Sequence, residues 1–113
     1  MPPVLGPKSL SKARGKEYLK PLSYSASKAA LGMVTKYLAV YLGKNGFNVN
    51  GIVPGGIEND QPKEFIKAYS QLTPMGRMAK VDDFLEVVNL LCDSGSDYMN
   101  GQLIAVDGGW TVW

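Results

Sequence analysis

The sequence contains two segments with the composition of a β-strand, and helical segments precede and separate them. The first, FNVNGIVP at residues 47–54, is rich in β-forming residues and is followed by Gly55-Gly56. The second holds the apolar run Leu103–Val106, which is typical of a strand buried on both faces, and Gly108-Gly109 closes it. A sheet of two parallel strands leaves backbone groups unpaired along both edges and offers little surface for a helix. The pattern therefore predicts a piece of a larger sheet.

The longest helical pattern begins at YSASKAAL, residues 24–31, with Ser23 predicted as its N-cap. Gly43 and the pair Asn45-Gly46 supply the stop signals. Apolar positions in this helix cover more than one narrow stripe, which indicates burial on two sides. We expect a sheet on one side and a partner on the other, with Met33, Tyr37 and Tyr41 in the core or an interface.

A second helix is predicted within DQPKEFIKAYSQL, residues 60–72, with Asp60 as cap and Pro62 in the first turn. Its apolar face contains Phe65, Ile66, Tyr69 and Leu72. A third, long helix is predicted over VDDFLEVVNLLCD, residues 81–93, where Cys92 lies in the apolar pattern as a small buried hydrophobe. The resulting order is helix, strand, helix, helix, strand, which predicts an α/β protein with parallel strands joined by right-handed crossovers.

Composition excludes several classes of function. Lys and Arg number 12 and Asp and Glu number 10, so no basic stripe is available for nucleic acid. The chain has one cysteine and no histidine, which excludes an intrachain disulfide, a cysteine–histidine zinc site and a Ser-His-Asp triad. Residues 1–22 contain four prolines and no clear period, and they predict an irregular leader or loop. No signal-peptide core or membrane-length apolar run is present, so we expect a soluble cytoplasmic protein.

Tyr24 and Lys28 are the residues with the clearest chemical potential. Four positions apart on a helix, they share one face. A free tyrosine ionises near pH 10, and a unit charge about 4 Å away contributes about 4 kcal/mol at an effective dielectric near 20, enough for proton transfer near neutrality. The same spacing is common on solvated helix faces, so the pair alone is not specific.

The surrounding blocks are specific. YSASKAA is followed by NVNGIVPGGI, PMGR and YMNGQLIAVDGGW, and this series resembles the C-terminal half of a short-chain dehydrogenase/reductase. The resemblance runs from Tyr24 to Trp110. It implies that residues 23–113 are the C-terminal part of a single Rossmann-like, doubly wound parallel sheet, and that the N-terminal dinucleotide-binding half is absent. No glycine-rich dinucleotide fingerprint occurs in the sequence.

The resemblance also implies roles for individual residues. Tyr24 corresponds to the proton donor or acceptor, and Lys28 to the lysine that activates it and binds the nicotinamide ribose. Pro54 and Gly55 correspond to the loop beside the nicotinamide of NAD or NADP, and Ile57 to the residue whose backbone holds the carboxamide.

A catalytic serine is also implied by the resemblance. Counting thirteen residues back from Tyr24 gives Ser11, which is either that serine or an ordinary loop serine, because no apolar strand precedes it. Residues 58–72 fall where the family has its variable substrate lid. Arg77 corresponds to a loop arginine with a structural or interface role. Trp110 and Trp113 would expose apolar surface unless another subunit or the missing half covers them.

Two functions follow as hypotheses. The first is an NAD(P)-dependent oxidoreductase that interconverts a small-molecule carbonyl and a secondary alcohol, inactive as this chain alone. The second is a non-catalytic fragment that acts only as an association module. In both cases we expect a homo-oligomer, a dimer or a tetramer, formed through the long helix and the last strand, with no nucleic-acid or membrane partner and no metal.

Overall fold

A computed structural model describes residues 20–112. Its helices are α1 (Leu22–Gly43), α2 (Lys63–Leu72) and α3 (Leu85–Cys92), its strands are β1 (Gly51–Pro54) and β2 (Leu103–Val106), and 3-10 turns cover Val81–Phe84 and Ser94–Ser96. This order confirms the predicted α/β class. Most of the predicted leader, including Ser11, and also Trp113 lie outside the described residues.

The two strands form a parallel sheet, as the alternation of helices and strands predicts. Gly51 pairs with Leu103, and the register continues to Pro54 opposite Val106. Because the strands are parallel, the chain between them crosses from one end of the sheet to the other, and α2 and α3 lie in this crossover.

β1 is shorter than the predicted strand, and the residues before it are held mainly by side-chain hydrogen bonds, with one backbone bond from Gly101 N to Val49 O. Asn48 donates its amide to the carbonyls of Ser96 and Asp97 at 3.1 and 2.9 Å. Asn50 donates to Met99 O at 2.9 Å and accepts from Gln102 N at 3.0 Å. These bonds fix the entry to β1 without extending its pairing.

The predicted burial of β2 on both faces is wrong. Along the strand, exposed and half-buried residues alternate, with Leu103 and Ala105 exposed and Ile104 and Val106 half-buried. The physical reason is the width of the sheet: two strands and three helices do not supply enough neighbours to cover both faces.

Helix α1 begins earlier than predicted. Pro21, not Ser23, is the N-cap, and Tyr24 N donates to Pro21 O at 3.0 Å. Ser23 is therefore inside the first turn. The end of the helix is as predicted: α1 stops at Gly43, and Gly46 with φ 81° closes the following turn.

One side of α1 packs through small residues. Ala39 is buried against Gly101, and Asn100 Nδ2 donates to Ala39 O at 2.9 Å. Gly32 faces Leu103 of β2. The other sides leave large apolar side chains 47–81 % exposed: Leu31, Met33, Val34, Tyr37, Val40 and Tyr41. A core position for Met33, Tyr37 and Tyr41 is therefore wrong in this chain, and their place in an interface stays a prediction.

α2 also starts at a proline. Pro62, not Asp60, is its N-cap, so the predicted cap is wrong by two residues. The predicted apolar face is confirmed, with Phe65 buried. Trp110 is covered within the chain, contrary to the expectation: its ring stacks on Tyr69 with centroids 4.2 Å apart.

The predicted third helix is divided into a 3-10 turn and the shorter α3. Asp83 causes the 3-10 turn at the start. Its carboxylate accepts hydrogen bonds from Lys80 N at 2.7 Å and from both terminal nitrogens of the Arg77 guanidinium at 2.7 and 2.8 Å. Cys92 is exposed at the end of α3, so its predicted burial is wrong. Among residues 20–112, no helix combines the length and apolarity needed to cross a membrane.

The Arg77–Asp83 pair makes stability depend on pH. The hydrogen bonds that Arg77 donates to the Asp83 carboxyl hold the pKa of this carboxyl well below its usual range, and the hydrogen bond from Lys80 N–H lowers it further. Because the folded pKa is depressed, this stabilisation is present above the unfolded pKa of about 3.9 and is lost as pH falls below it. We expect the Asp83→Asn protein to lose less stability than wild type when urea unfolding is repeated at falling pH. Asp82→Asn, the adjacent exposed carboxylate, is the control and should behave as wild type.

Candidate functional site

The carboxyl ends of the two strands and the N-terminal turn of α1 lie at the same edge of the fold. α1 runs against the strand direction, since Ala39 lies beside Gly101 ahead of β2 and Gly32 lies beside Leu103 within it. A helix rises about 1.5 Å and a strand about 3.3 Å per residue, so the stretch of α1 from Gly32 back to Tyr24 is about as long as the stretch of β2 from Leu103 to Val106. Tyr24 is therefore at about the level of the strand ends. Open α/β sheets bind their ligands at this edge.

Two cations flank the ring of Tyr24, which is 47 % exposed. Lys28 Nζ lies 5.8 Å and Lys20 Nζ 4.9 Å from the ring centroid, within the range of a cation–π contact. The predicted shared face of Tyr24 and Lys28 is thus observed. Lys20 was missed by sequence reasoning, although its position four residues before Tyr24 is a visible signal. Together the two ammonium groups create a positive potential around the phenol.

Gly55 and Ile57 lie in the loop that directly follows Pro54, the last residue of β1. Gly55 N donates to Val106 O at 2.9 Å, which continues the ladder by one bond. A Cβ on Gly55 would lie 2.8 Å from the Asp107 Cα, so only glycine fits here. The close approach of two backbones therefore accounts for this glycine without any ligand.

Both peptide groups around Gly56 are held. Gly56 N donates to the Tyr69 hydroxyl at 2.7 Å, and Gly56 O accepts Ala79 N at 2.9 Å. Ile57 forms an isolated parallel bridge with Ala79, and Glu58 N donates to Ala79 O at 2.8 Å. In a parallel bridge the central residue directs its own N–H away from the partner strand. The N–H of Ile57 consequently faces away from Ala79, as a donor to a ligand carbonyl would.

Tyr69, predicted only as part of an apolar helix face, and Asp107 are polar residues of this edge that the sequence did not indicate as site residues. Burial raises the pKa of the Tyr69 hydroxyl, although the Gly56 hydrogen bond opposes this, so the group is neutral at physiological pH. The hydroxyl of Thr111, at 2.6 Å, is the main cause that lowers the pKa of Asp107, helped by the N–H groups of Gly109 and Thr111. An ionised Asp107 thus closes the turn after β2, and its signal in the sequence is an aspartate followed by two glycines, with a threonine four residues on.

The predicted site residues fall into two groups. Tyr24 and Lys28 form one, on the first two turns of α1. Pro54, the last residue of β1, and Gly55 and Ile57 in the loop after it form the other. Both groups lie at the carboxyl edge. Ser11 is outside the described residues. Within the described part of the chain, no group of three or more acidic, histidine or cysteine side chains could hold a metal ion.

Comparison with known sequences assigns a family to almost the whole chain. A family model described as enoyl-(acyl carrier protein) reductase matches residues 8–111. Similar curated proteins include a tropinone reductase homolog of Arabidopsis thaliana, 35 % identical over 95 residues, which cover 79 % of this chain and 36 % of that protein. Galactitol 2-dehydrogenase (L-tagatose-forming) of Cereibacter sphaeroides is 32 % identical over 97 residues, 80 % of this chain and 38 % of that enzyme.

Solved structures give the same result at the level of the fold. A short-chain dehydrogenase from Leptospira borgpetersenii with bound NAD+ superposes with a TM-score of 0.79 at 42 % identity, over 83 % of this chain and 37 % of that one. A gluconate 5-dehydrogenase from Burkholderia cenocepacia, in complex with NADP and tartrate, gives 0.77 at 31 % identity, over 86 % and 41 %. The chain therefore spans about two fifths of the length of the proteins it matches.

Proposed function

The chain belongs to the short-chain dehydrogenase/reductase family, and we propose that it carries the proton-transfer and nicotinamide-binding part of an NAD(P)-dependent oxidoreductase. The reaction is the interconversion of a small-molecule carbonyl and a secondary alcohol. The observation that carries the proposal is the environment of Tyr24, whose ring centroid lies 4.9 Å from Lys20 Nζ and 5.8 Å from Lys28 Nζ. The antiparallel run of α1 against β2 supports placing this tyrosine near the loop that contains Gly55 and Ile57.

Tyr24 is the proposed proton donor in the direction of carbonyl reduction. Its hydroxyl donates to the carbonyl oxygen as negative charge develops there, and in the reverse direction the phenolate removes the proton from the alcohol. The ammonium groups of Lys28 and Lys20 stabilise that phenolate through their charge. A bound nicotinamide supplies the hydride transfer that accompanies this proton movement.

The loop after β1 is the proposed contact for the nicotinamide. The outward N–H of Ile57 suits an amide carbonyl acceptor, and Pro54 and Gly55 form the turn that presents it. Lys28 would hold the ribose, and Ser11 is the candidate for orienting the substrate carbonyl. The chain contains no glycine-rich fingerprint for the cofactor phosphates, so those contacts need another segment.

A fusion protein tests the proposal. The chain is joined to the portion of the Leptospira relative that precedes the matched region, and oxidation of NADH and NADPH is followed with panels of sugar-acid, ketose and 3-oxoacyl substrates. We expect turnover with at least one substrate class. A folded fusion that binds the dinucleotide yet reduces no carbonyl would contradict the proposed chemistry.

Association with a second copy is the proposed role of the exposed face of α1. Tyr37 and Tyr41 stack on this face with rings 6.1 Å apart and 9° from parallel, and apolar neighbours surround them. Together with β2 this face provides the proposed homo-oligomer contact. It also supports the second candidate function, a non-catalytic association module. Micromolar binding of NAD(H) or NADP(H) by the isolated chain would contradict that second candidate.

Tyr41→Lys should weaken self-association. Burying an unpaired ammonium in an apolar contact is costly, so we expect the dissociation constant of the oligomer to rise by at least about tenfold. Sedimentation equilibrium measures it. The matched control is Tyr98→Lys, which alters a fully exposed tyrosine near the amino end of β2 and should leave association unchanged. Equal association of all three proteins would show that α1 is not the contact.

A further inference from the structure

Tyr69 connects α2 to two other parts of the carboxyl edge. Its hydroxyl accepts Gly56 N in the loop after β1 at 2.7 Å. Its ring stacks on Trp110, in the turn after β2, at 4.2 Å and 8° between the planes. No role is assigned to Tyr69 by the proposed proton transfer, yet it is half-buried at the center of these contacts.

The fit between Tyr69 and Gly56 is close on both sides. A Cβ at residue 56 would lie 2.5 Å from the Tyr69 Cζ and 2.8 Å from its hydroxyl oxygen. Such distances are far inside van der Waals contact, so the ring occupies the space that any larger residue would need. Glycine at 56 and tyrosine at 69 are therefore a matched pair.

The two hydrogen bonds of Gly56 set the orientation of two successive peptide groups. The Gly56 N–H belongs to the Gly55–Gly56 peptide, and its bond to the Tyr69 hydroxyl fixes the plane of that peptide. The Gly56 carbonyl belongs to the Gly56–Ile57 peptide, and the 2.9 Å hydrogen bond from Ala79 N to Gly56 O fixes the plane of this second peptide. Since a trans peptide directs C=O and N–H to opposite sides, the Ala79 anchor sets the direction of the Ile57 N–H, and the Tyr69 anchor holds the peptide before it.

We propose that Tyr69 is a positioning residue: its hydroxyl fixes the Gly55–Gly56 peptide, so that α2 and the loop carrying the Ile57 N–H hold one geometry together. The importance of that loop for the nicotinamide rests on the proposed function. Trp110 supports the arrangement because its ring stacks on the Tyr69 ring and so connects α2 to the turn after β2.

Amide hydrogen exchange in the chain itself, without cofactor, tests this positioning. Tyr69→Phe keeps the ring and its stack on Trp110 but removes the acceptor for Gly56 N. We expect the Gly56 amide to exchange about tenfold faster, while the amide of Gly51, which donates to Gln102 O at 2.8 Å where β1 begins, keeps its wild-type rate. Tyr98→Phe, the same change on an exposed tyrosine, should leave every rate unaltered.

Two results would overturn the proposal. An unchanged Gly56 rate in Tyr69→Phe would show that the hydroxyl does not fix the loop. Equal acceleration at Gly56 and Gly51 would show only a general loss of stability. Because no dinucleotide is present, either result is separate from a failure of the fusion protein to reduce carbonyls.

A double-mutant cycle covers the case in which Tyr69→Phe does not fold. Gly56→Ala alone should lower the unfolding midpoint strongly, since the new methyl group collides with the Tyr69 ring. In a Tyr69→Ala background the same change should have little effect, whereas in a Tyr98→Ala background its full effect should remain. Additive effects of Gly56→Ala and Tyr69→Ala would contradict the matched pair.

Discussion

Tyr24→Phe is expected to lower the kcat of the fusion protein by a factor of about 10² to 10⁴, the range that a positioned proton donor contributes. Phenylalanine keeps the ring between the two lysines, so the KM values for substrate and dinucleotide should change little. Steady-state rates and a dinucleotide titration on the same preparation separate these effects.

The matched control for Tyr24 is Tyr98→Phe, which removes a hydroxyl from an exposed tyrosine at the opposite end of the sheet. Its kcat should equal that of wild type. A Tyr24→Phe enzyme with wild-type kcat would exclude Tyr24 as the proton donor. A parallel loss of dinucleotide affinity would instead assign Tyr24 to binding.

Gly109→Ala is expected to destabilise the chain by about 2 to 5 kcal/mol, which combines left-handed backbone strain with overpacking. Gly109 has φ 90°, and an added Cβ would lie 2.9 Å from the Pro74 Cγ. The collision is with a proline ring in the segment after α2, which has little freedom to move away. Urea unfolding of wild type and variant measures the difference.

Gly76→Ala separates the two causes. Gly76 also has a positive φ, 72°, but an added Cβ would meet nothing within 4 Å. This variant should therefore lose only the strain of about 1 to 2 kcal/mol. Equal losses at Gly76 and Gly109 would mean that the contact with Pro74 contributes nothing to stability.

Local signals predicted the elements better than their first residues. Ser23 and Asp60 were predicted as caps because their side chains can accept backbone N–H groups, yet Pro21 and Pro62 hold those positions. A proline fixes φ near the value that precedes a helix, and this constraint acts whatever polar residue follows. The division of the third helix escaped prediction because Arg77, outside the helical pattern, anchors Asp83.

Side-chain burial was the least predictable property. The apolar pattern predicts burial of Cys92, and the unbroken apolar run predicts burial of β2 on both faces, yet Cys92 is exposed and β2 is half-buried on one face only. Trp110, in contrast, was expected to need another subunit or the missing half to cover it, yet it is half-buried within the chain and stacks on Tyr69. Periodicity identifies which residues share a face, but it carries no information on what lies opposite that face.

The sequence by itself determined the order of the elements, the parallel sheet and the shared face of Tyr24 and Lys28. These depend on the helical and strand periods and on the crossover rule, which act over a few residues or over the order of segments. Only the tertiary structure decided that Lys20 joins Tyr24, that Gly55 abuts Asp107 and that Tyr69 holds Gly56. The last two contacts join residues from different elements, and Lys20 reaches Tyr24 from outside α1. Their distances depend on how elements and flanking chain pack, which no local pattern specifies.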